Sequence, residues 1–147
     1  MKKMLKVLLC MVFISMVFGV SNVFASREHP EVFIDNKKLD IYANVTSLGT
    51  TLVPMRPIFE AYAMRVDWDN NTKTVTATKN DTTIKLTNNS YEAYLNGEKV
   101  TLNQAPSLEP TSNIFYVNLR FISEALGADV TWSKTTDDAS IHINFSE

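Results

Sequence analysis

A sixteen-residue stretch of this chain occurs twice. Val53–Trp68 returns 64 residues later as Val117–Trp132, with seven identities and no gap. The shared positions are Val53/Val117, Arg56/Arg120, Ile58/Ile122, Glu60/Glu124, Ala61/Ala125, Val66/Val130 and Trp68/Trp132. A chain built this way is expected to fold from two versions of one supersecondary unit. Any chemistry that belonged to the motif would have to survive in both copies.

The flanking sequence fills in that unit. Val32–Ile41 reads as two short strands about an Asp35-Asn36 turn, and Ala93–Leu102 repeats the pattern about Asn96-Gly97, a strong type I′ pair. Loops follow at Asn44–Thr50 and Asn103–Asn113, the second carrying Pro106 and Pro110. Next come short extended segments and two helices with apolar stripes, Ile58, Phe59, Ala61 and Tyr62 in one, Phe121, Ile122, Ala125 and Leu126 in the other. Gly127 suits a left-handed helix end, whereas Ala63 at the matching place predicts a looser or strained terminus. Each helix leads to a strand ending in Trp. Lys73–Thr78, Thr82–Thr87 and Ala139–Phe145 complete the strands. The expected fold is α+β: two tandem similar repeats, about 32–88 and 91–145, each a β-hairpin, a short helix and antiparallel strands, in one compact domain over 26–147.

The N-terminus reads as an export signal. Lys2, Lys3 and Lys6 precede an apolar run over Val7–Val20, and Val23 and Ala25 stand at −3 and −1 of a cleavage after Ala25. The run is short for a membrane span of about 20 residues. A retained N-terminal anchor is the alternative. Cys10 is read as part of the signal, because Leu9 is not the small residue a lipoprotein site needs. The expected product, Ser26–Glu147, is secreted and free after cleavage of any membrane attachment. Losing three lysines takes its formal net charge from −2 to −5, which argues against nucleic acid and anionic membranes as partners. It has no cysteine, which removes disulfides, zinc-thiolate sites and a thiol nucleophile.

The run Val53-Pro-Met-Arg-Pro-Ile-Phe-Glu-Ala61, then Val66-Asp-Trp-Asp69, Lys73–Lys79, the hairpin Leu95–Val100 and the second copy at Val117–Trp132 resembles the copper amine oxidase N-terminal-like domain. The resemblance covers nearly all of Val32–Ile143. Copy one departs from the pattern with Tyr62-Ala63-Met64 where Leu-Gly-Ala is usual, and copy two has Asn118 where a proline precedes the arginine. The resemblance implies an exported accessory or binding domain, similar to the oxidase's peripheral stalk, without the tyrosine-derived cofactor site or the three copper-binding histidines. In whole-chain layout the sequence is also similar to small secreted protease inhibitors of bacilli.

Few residues suggest chemistry. His29 and His142 are the two histidines, too few for a copper or zinc site without recruited carboxylates. The acidic pairs Asp67/Asp69 and Asp137/Asp138 read as strand and turn residues, and copy two has Thr131 and Ser133 in place of the first pair. No catalytic constellation, metal or cofactor is expected, and an enzyme is not expected. Arg56 and Arg120 read as structural staples, paired with Glu60 and Glu124 at i,i+4 or stacked on Trp68 and Trp132, with ligand binding as the other reading. The loop with Pro106, Ser107, Leu108, Glu109 and Pro110 is the candidate partner-facing segment, restricted by its prolines. Leu108 would enter a subtilisin-type pocket, and Lys37 with Lys38 would serve a trypsin-like one. The expected function is therefore a non-enzymatic inhibitor of extracellular serine proteases. The alternative is a surface-associated binding or adhesion module for a cell-envelope component.

Overall fold

The computed structural model describes residues 29–135 and 138–145. The signal reading at 1–25 and Asp137 lie outside them. Among the described residues no helix is long and apolar enough to cross a membrane.

Thirteen strands and two helices follow one another in the described chain, and the strands form three sheets. The middle sheet has the order β10-β11-β4-β3, from Ser107–Glu109, Ile114–Asn118, Thr51–Pro54 and Asn44–Val45. Its centre is an antiparallel pair in which Val53 lies opposite Val117, Leu52 opposite Asn118, and Pro54 opposite Tyr116. Val53 and Val117 are the first residues of the two recurring stretches, so corresponding positions meet across the ladder. Both valines are fully buried. Each strand then runs straight into a seven-residue helix, β4 into α1 (Met55–Ala61) and β11 into α2 (Leu119–Ala125).

The helices bury the apolar faces expected of them. Ile58 and Phe59 in α1, and Leu119 and Ile122 in α2, are at most 1% exposed. Burying a side chain of this kind is worth about 1.5–3 kcal/mol. Pro57 sits in the first turn of α1, where a missing N–H leaves no helical bond unmade. The starts differ: Pro54 caps nothing, whereas Asn118 accepts a bond from the Phe121 backbone at 3.1 Å. The ends differ too. Gly127 at φ 79° and Ala63 at φ 53° both adopt the left-handed turn, and only the alanine carries a Cβ into it.

After the helices the chain enters the outer sheets. β5 (Arg65–Asp69), β6 (Thr74–Lys79) and β7 (Thr82–Thr87) form an antiparallel meander that continues into the hairpin β8 (Glu92–Leu95) and β9 (Glu98–Thr101). β12 (Ala128–Lys134) pairs with β13 (Ala139–Phe145), which runs parallel to β1 (Glu31–Ile34), itself paired with β2 (Lys37–Leu39). The hairpin that precedes α1 therefore extends the sheet that follows α2, and the hairpin that precedes α2 extends the sheet that follows α1. Asp35-Asn36 and Asn96-Gly97 all have positive φ, as a two-residue primed turn requires.

Two expectations are corrected. Asn44–Thr50 is not wholly a loop: Asn44 and Val45 pair with β4, and the turn closes through Thr46 N–H to the Thr50 carbonyl at 2.9 Å. Asn103–Asn113 likewise contains β10, paired through Leu108 with Phe115. Its prolines flank the strand instead of interrupting it. Glu109 then braces the turn to β11, its carboxylate accepting from the Thr111 and Ser112 backbones and the Ser112 hydroxyl. These bonds hold the Glu109 carboxyl down at about 2, with the Ser112 hydroxyl the largest cause.

A candidate binding groove

Residues from both halves of the chain enclose a groove of about 520 Å³. One wall is Val66 and Trp68 from β5, adjacent on one strand face by the two-residue period. The start of α1 contributes Pro54, Met55, Arg56 and Pro57, and Asp40–Tyr42 close one end. The second half contributes Leu108 on β10, and Asn113, Ile114 and Phe115 at the turn into β11. Trp68 tilts against Phe115, with ring centroids 5.1 Å apart and planes at 60°. Phe115 is buried, whereas Trp68 remains 38% and Tyr42 57% exposed.

Arg56 and Arg120 do not behave alike. Arg120 Nη1 donates to Glu124 at 3.1 Å and to the Val130 carbonyl at 3.5 Å. Arg56 makes no ion pair or hydrogen bond with Glu60, or with any other group, among the described residues. An exposed i,i+4 pair is worth only about 0.3–0.5 kcal/mol, too little to hold a long side chain in place. Arg56 is thus an available cation on the groove rim.

The other candidate residues lie elsewhere. Lys38 pairs with Glu31 across β1 and β2, which raises the ammonium pKa, and Lys37 is exposed on the same strand. Pro106 is buried and Pro110 exposed, at the two ends of β10. Leu108 is half-buried and lines the groove. It packs against the core, and its N–H is taken by the Asn88 side chain at 2.8 Å. His142 stacks on Phe33 at 4.9 Å and Nε2 meets the Ser140 hydroxyl at 3.0 Å. His29 Nδ1 lies 3.1 Å from the Ala43 carbonyl, and Nε2 lies 2.5 Å from Tyr42 Oη. Asp69 caps its own turn through Asn71 and Thr72, and the Thr72 hydroxyl is the first cause of its lowered pKa. Among the described residues no three His, Cys, Asp or Glu side chains converge on a possible metal.

Tyr42 and the 113–115 turn were missed by sequence reasoning, because neither belongs to the recurring stretch that carries Trp68. A position-by-position comparison of the copies outside that stretch would have marked them.

The family model for the copper amine oxidase N-terminal domain matches residues 33–141, about three-quarters of the sequence. The chain belongs to that family. The match runs from within β1 to within β13 and takes in both helices, so the copper amine oxidase N-terminal domain includes every residue of the groove. No curated protein matches significantly.

Proposed function

We propose that this copper amine oxidase N-terminal domain is an exported, non-catalytic binding module. Its groove holds an extended apolar peptide segment of a partner protein at the cell surface. The carrying observation is Trp68, braced by Phe115 yet more than a third exposed, with the uncommitted Arg56 guanidinium beside it. Proline, aromatic and aliphatic walls suit apolar side chains on an extended backbone, and Arg56 suits an acidic group on the same segment. A volume near 520 Å³ is of the size that ligand pockets occupy. Protease inhibition through Gln104–Ser112 draws no support from this geometry, since Leu108 helps to build a groove in this chain.

The same reading takes the chain as two tandem repeats in one domain. The 64-residue recurrence and the meeting of Val53 with Val117 across the middle sheet support it.

The test is selection of displayed random heptapeptides on the purified protein, after which the enriched peptides are measured on the parent and on Trp68→Ala. Enriched peptides are expected to be rich in proline and large apolar residues and to carry an acid. Their binding should weaken about tenfold or more on Trp68→Ala, the loss expected of an aromatic anchor. Arg56→Ala should weaken only those with the acid. Enriched peptides that bind Trp68→Ala as tightly as the parent overturn the proposal.

A further inference from the structure

The groove is lined by two strands that stand at the edge of their sheets, β5 and β10. An edge strand carries backbone N–H and C=O groups that no neighbouring strand takes, and folded proteins cover or disrupt them. β10 is covered. The Asn88 side chain accepts from the Leu108 N–H at 2.8 Å, and the Asn89 N–H donates to the Pro106 carbonyl at 2.8 Å. β12, the counterpart of β5 in the second half, is covered in part. There the Val130 carbonyl accepts from Arg120 Nη1 at 3.5 Å.

β5 is left open, and the ladder beside it decides which of its groups are free. Thr83 turns its N–H to the Asn96 side chain at 2.7 Å and its carbonyl to the Asn96 N–H at 2.8 Å, away from β6. Backbone groups of successive residues alternate in direction along an antiparallel strand, so Ile84 faces β6 and its partner Ala77 faces β7. Thr76 then faces β5 and bonds its partner Asp67. The bond from the Asn88 N–H to the Lys73 carbonyl at 2.9 Å fits the same alternation. Val66 and Trp68, on either side of Asp67, therefore turn their N–H and C=O groups out of the sheet. Among the described residues no group bonds them there. The same two residues line the groove, and Arg56, the counterpart of the arginine that covers Val130, makes no bond to Val66.

We infer, resting on the peptide groove proposed above, that the partner segment pairs with this edge as one more strand of the β5–β9 sheet. Val66 and Trp68 each offer a donor and an acceptor at strand spacing, which suit an extended backbone whatever its sequence. Side chains two apart on the added strand fall on the face of Val66 and Trp68, so apolar residues there enter the groove. The residue between them lies across from Asp67 on the exposed face. Asp67 and Asp69 outnumber Arg65 on that face, so a lysine or arginine suits this position. A second copy of this chain fits worse. Two-fold pairing of Val66 with Trp68 of the copy sets the two Asp67 carboxylates opposite each other.

Hydrogen exchange of backbone amides in the free protein tests the edge without any ligand. Asp67 should exchange slowly, and Val66 and Trp68 fast. Equal protection of all three in dilute protein overturns the inference. Protection of Val66 and Trp68 that grows with protein concentration overturns it too, and assigns the edge to a second copy. The ligand arm uses a synthetic heptapeptide that is enriched on the parent and lost on Trp68→Ala. At saturation it should slow exchange at Val66 and Trp68 about tenfold or more. Backbone N-methylation at each peptide position in turn should weaken binding about fivefold at every second position, the worth of one hydrogen bond, and little between. No alternation, in a peptide that still needs Trp68, overturns strand pairing and leaves the groove standing. Absence of any Trp68-dependent peptide overturns both.

Discussion

Tyr62 Oη lies 2.7 Å from Ser123 Oγ, a fully buried hydrogen bond that ties the end of α1 to the middle of α2. Ser123 Oγ also donates to the Leu119 carbonyl at 2.8 Å, so the tyrosine is the donor. Burial is the main cause that pushes its pKa up to about 12. Ser123→Ala strands the phenol among apolar groups and should cost about 1–3 kcal/mol. Tyr62→Phe removes the donor instead and should cost about 1 kcal/mol. Urea unfolding of both variants and of the double variant checks this, with the double losing less than the sum.

The same phenol sets an alkaline limit. Its folded pKa is raised, so its contribution to stability is complete below its ordinary value of 10.0 and is lost as pH climbs towards about 12. Between those limits Tyr62→Phe should flatten the fall of stability with pH.

Glu109 works at the other end of the scale. Its folded pKa is lowered from 4.5 to about 2, so its bracing is present above 4.5 and is lost as pH falls towards 2. Amide NMR signals of Thr111 and Ser112 should shift together through that range. In Glu109→Gln they should not titrate, and β10 should exchange its amides faster at neutral pH.

Ala63→Gly should stabilise the protein by about 0.5 kcal/mol. A left-handed conformation costs a non-glycine residue about 1–2 kcal/mol, and glycine's extra freedom when unfolded returns part of the gain. Gly127→Ala, at the corresponding end of α2, should lose a comparable amount. Thermal unfolding of the pair would be overturning if both shifts had one sign.

Val53→Ala and Val117→Ala remove buried methyls at positions that face each other. Each should cost about 2 kcal/mol. Being in contact, their losses should fail to add in the double variant, as read by denaturant midpoint.

Much of this fold was legible in the chain because local rules set it. The two primed turns, the helix stripes, the strands that carry Trp68 and Trp132 (though these run on to Asp69 and Lys134 instead of ending at the tryptophans) and the Asp69 turn are decided by neighbours a few residues apart. The strain at Ala63 was legible for the same reason. What escaped was anything set by a distant partner. Asn44–Val45 and Ser107–Glu109 are weak strands by themselves and take form from β4 and β11. The groove escaped on the same grounds, since Trp68 meets Phe115 only after Val53 meets Val117. Arg56 and Arg120 share a motif, yet the surroundings give one a partner and leave the other without.

The parallel pairing of β1 with β13 bears on how the chain is made. Glu31 lies beside Ser140 and Ile34 beside Ile143, so strands from opposite ends of the described chain must find each other. A polypeptide that emerges with its N-terminus first must hold β1 open until the last strand arrives. Closing so long a loop is slow, and the waiting edge is a template for other chains. Early termination anywhere before Ala139 therefore does more than shorten the protein: it leaves the first hairpin permanently unmatched, and such a product should be cleared or aggregate before it can bind anything.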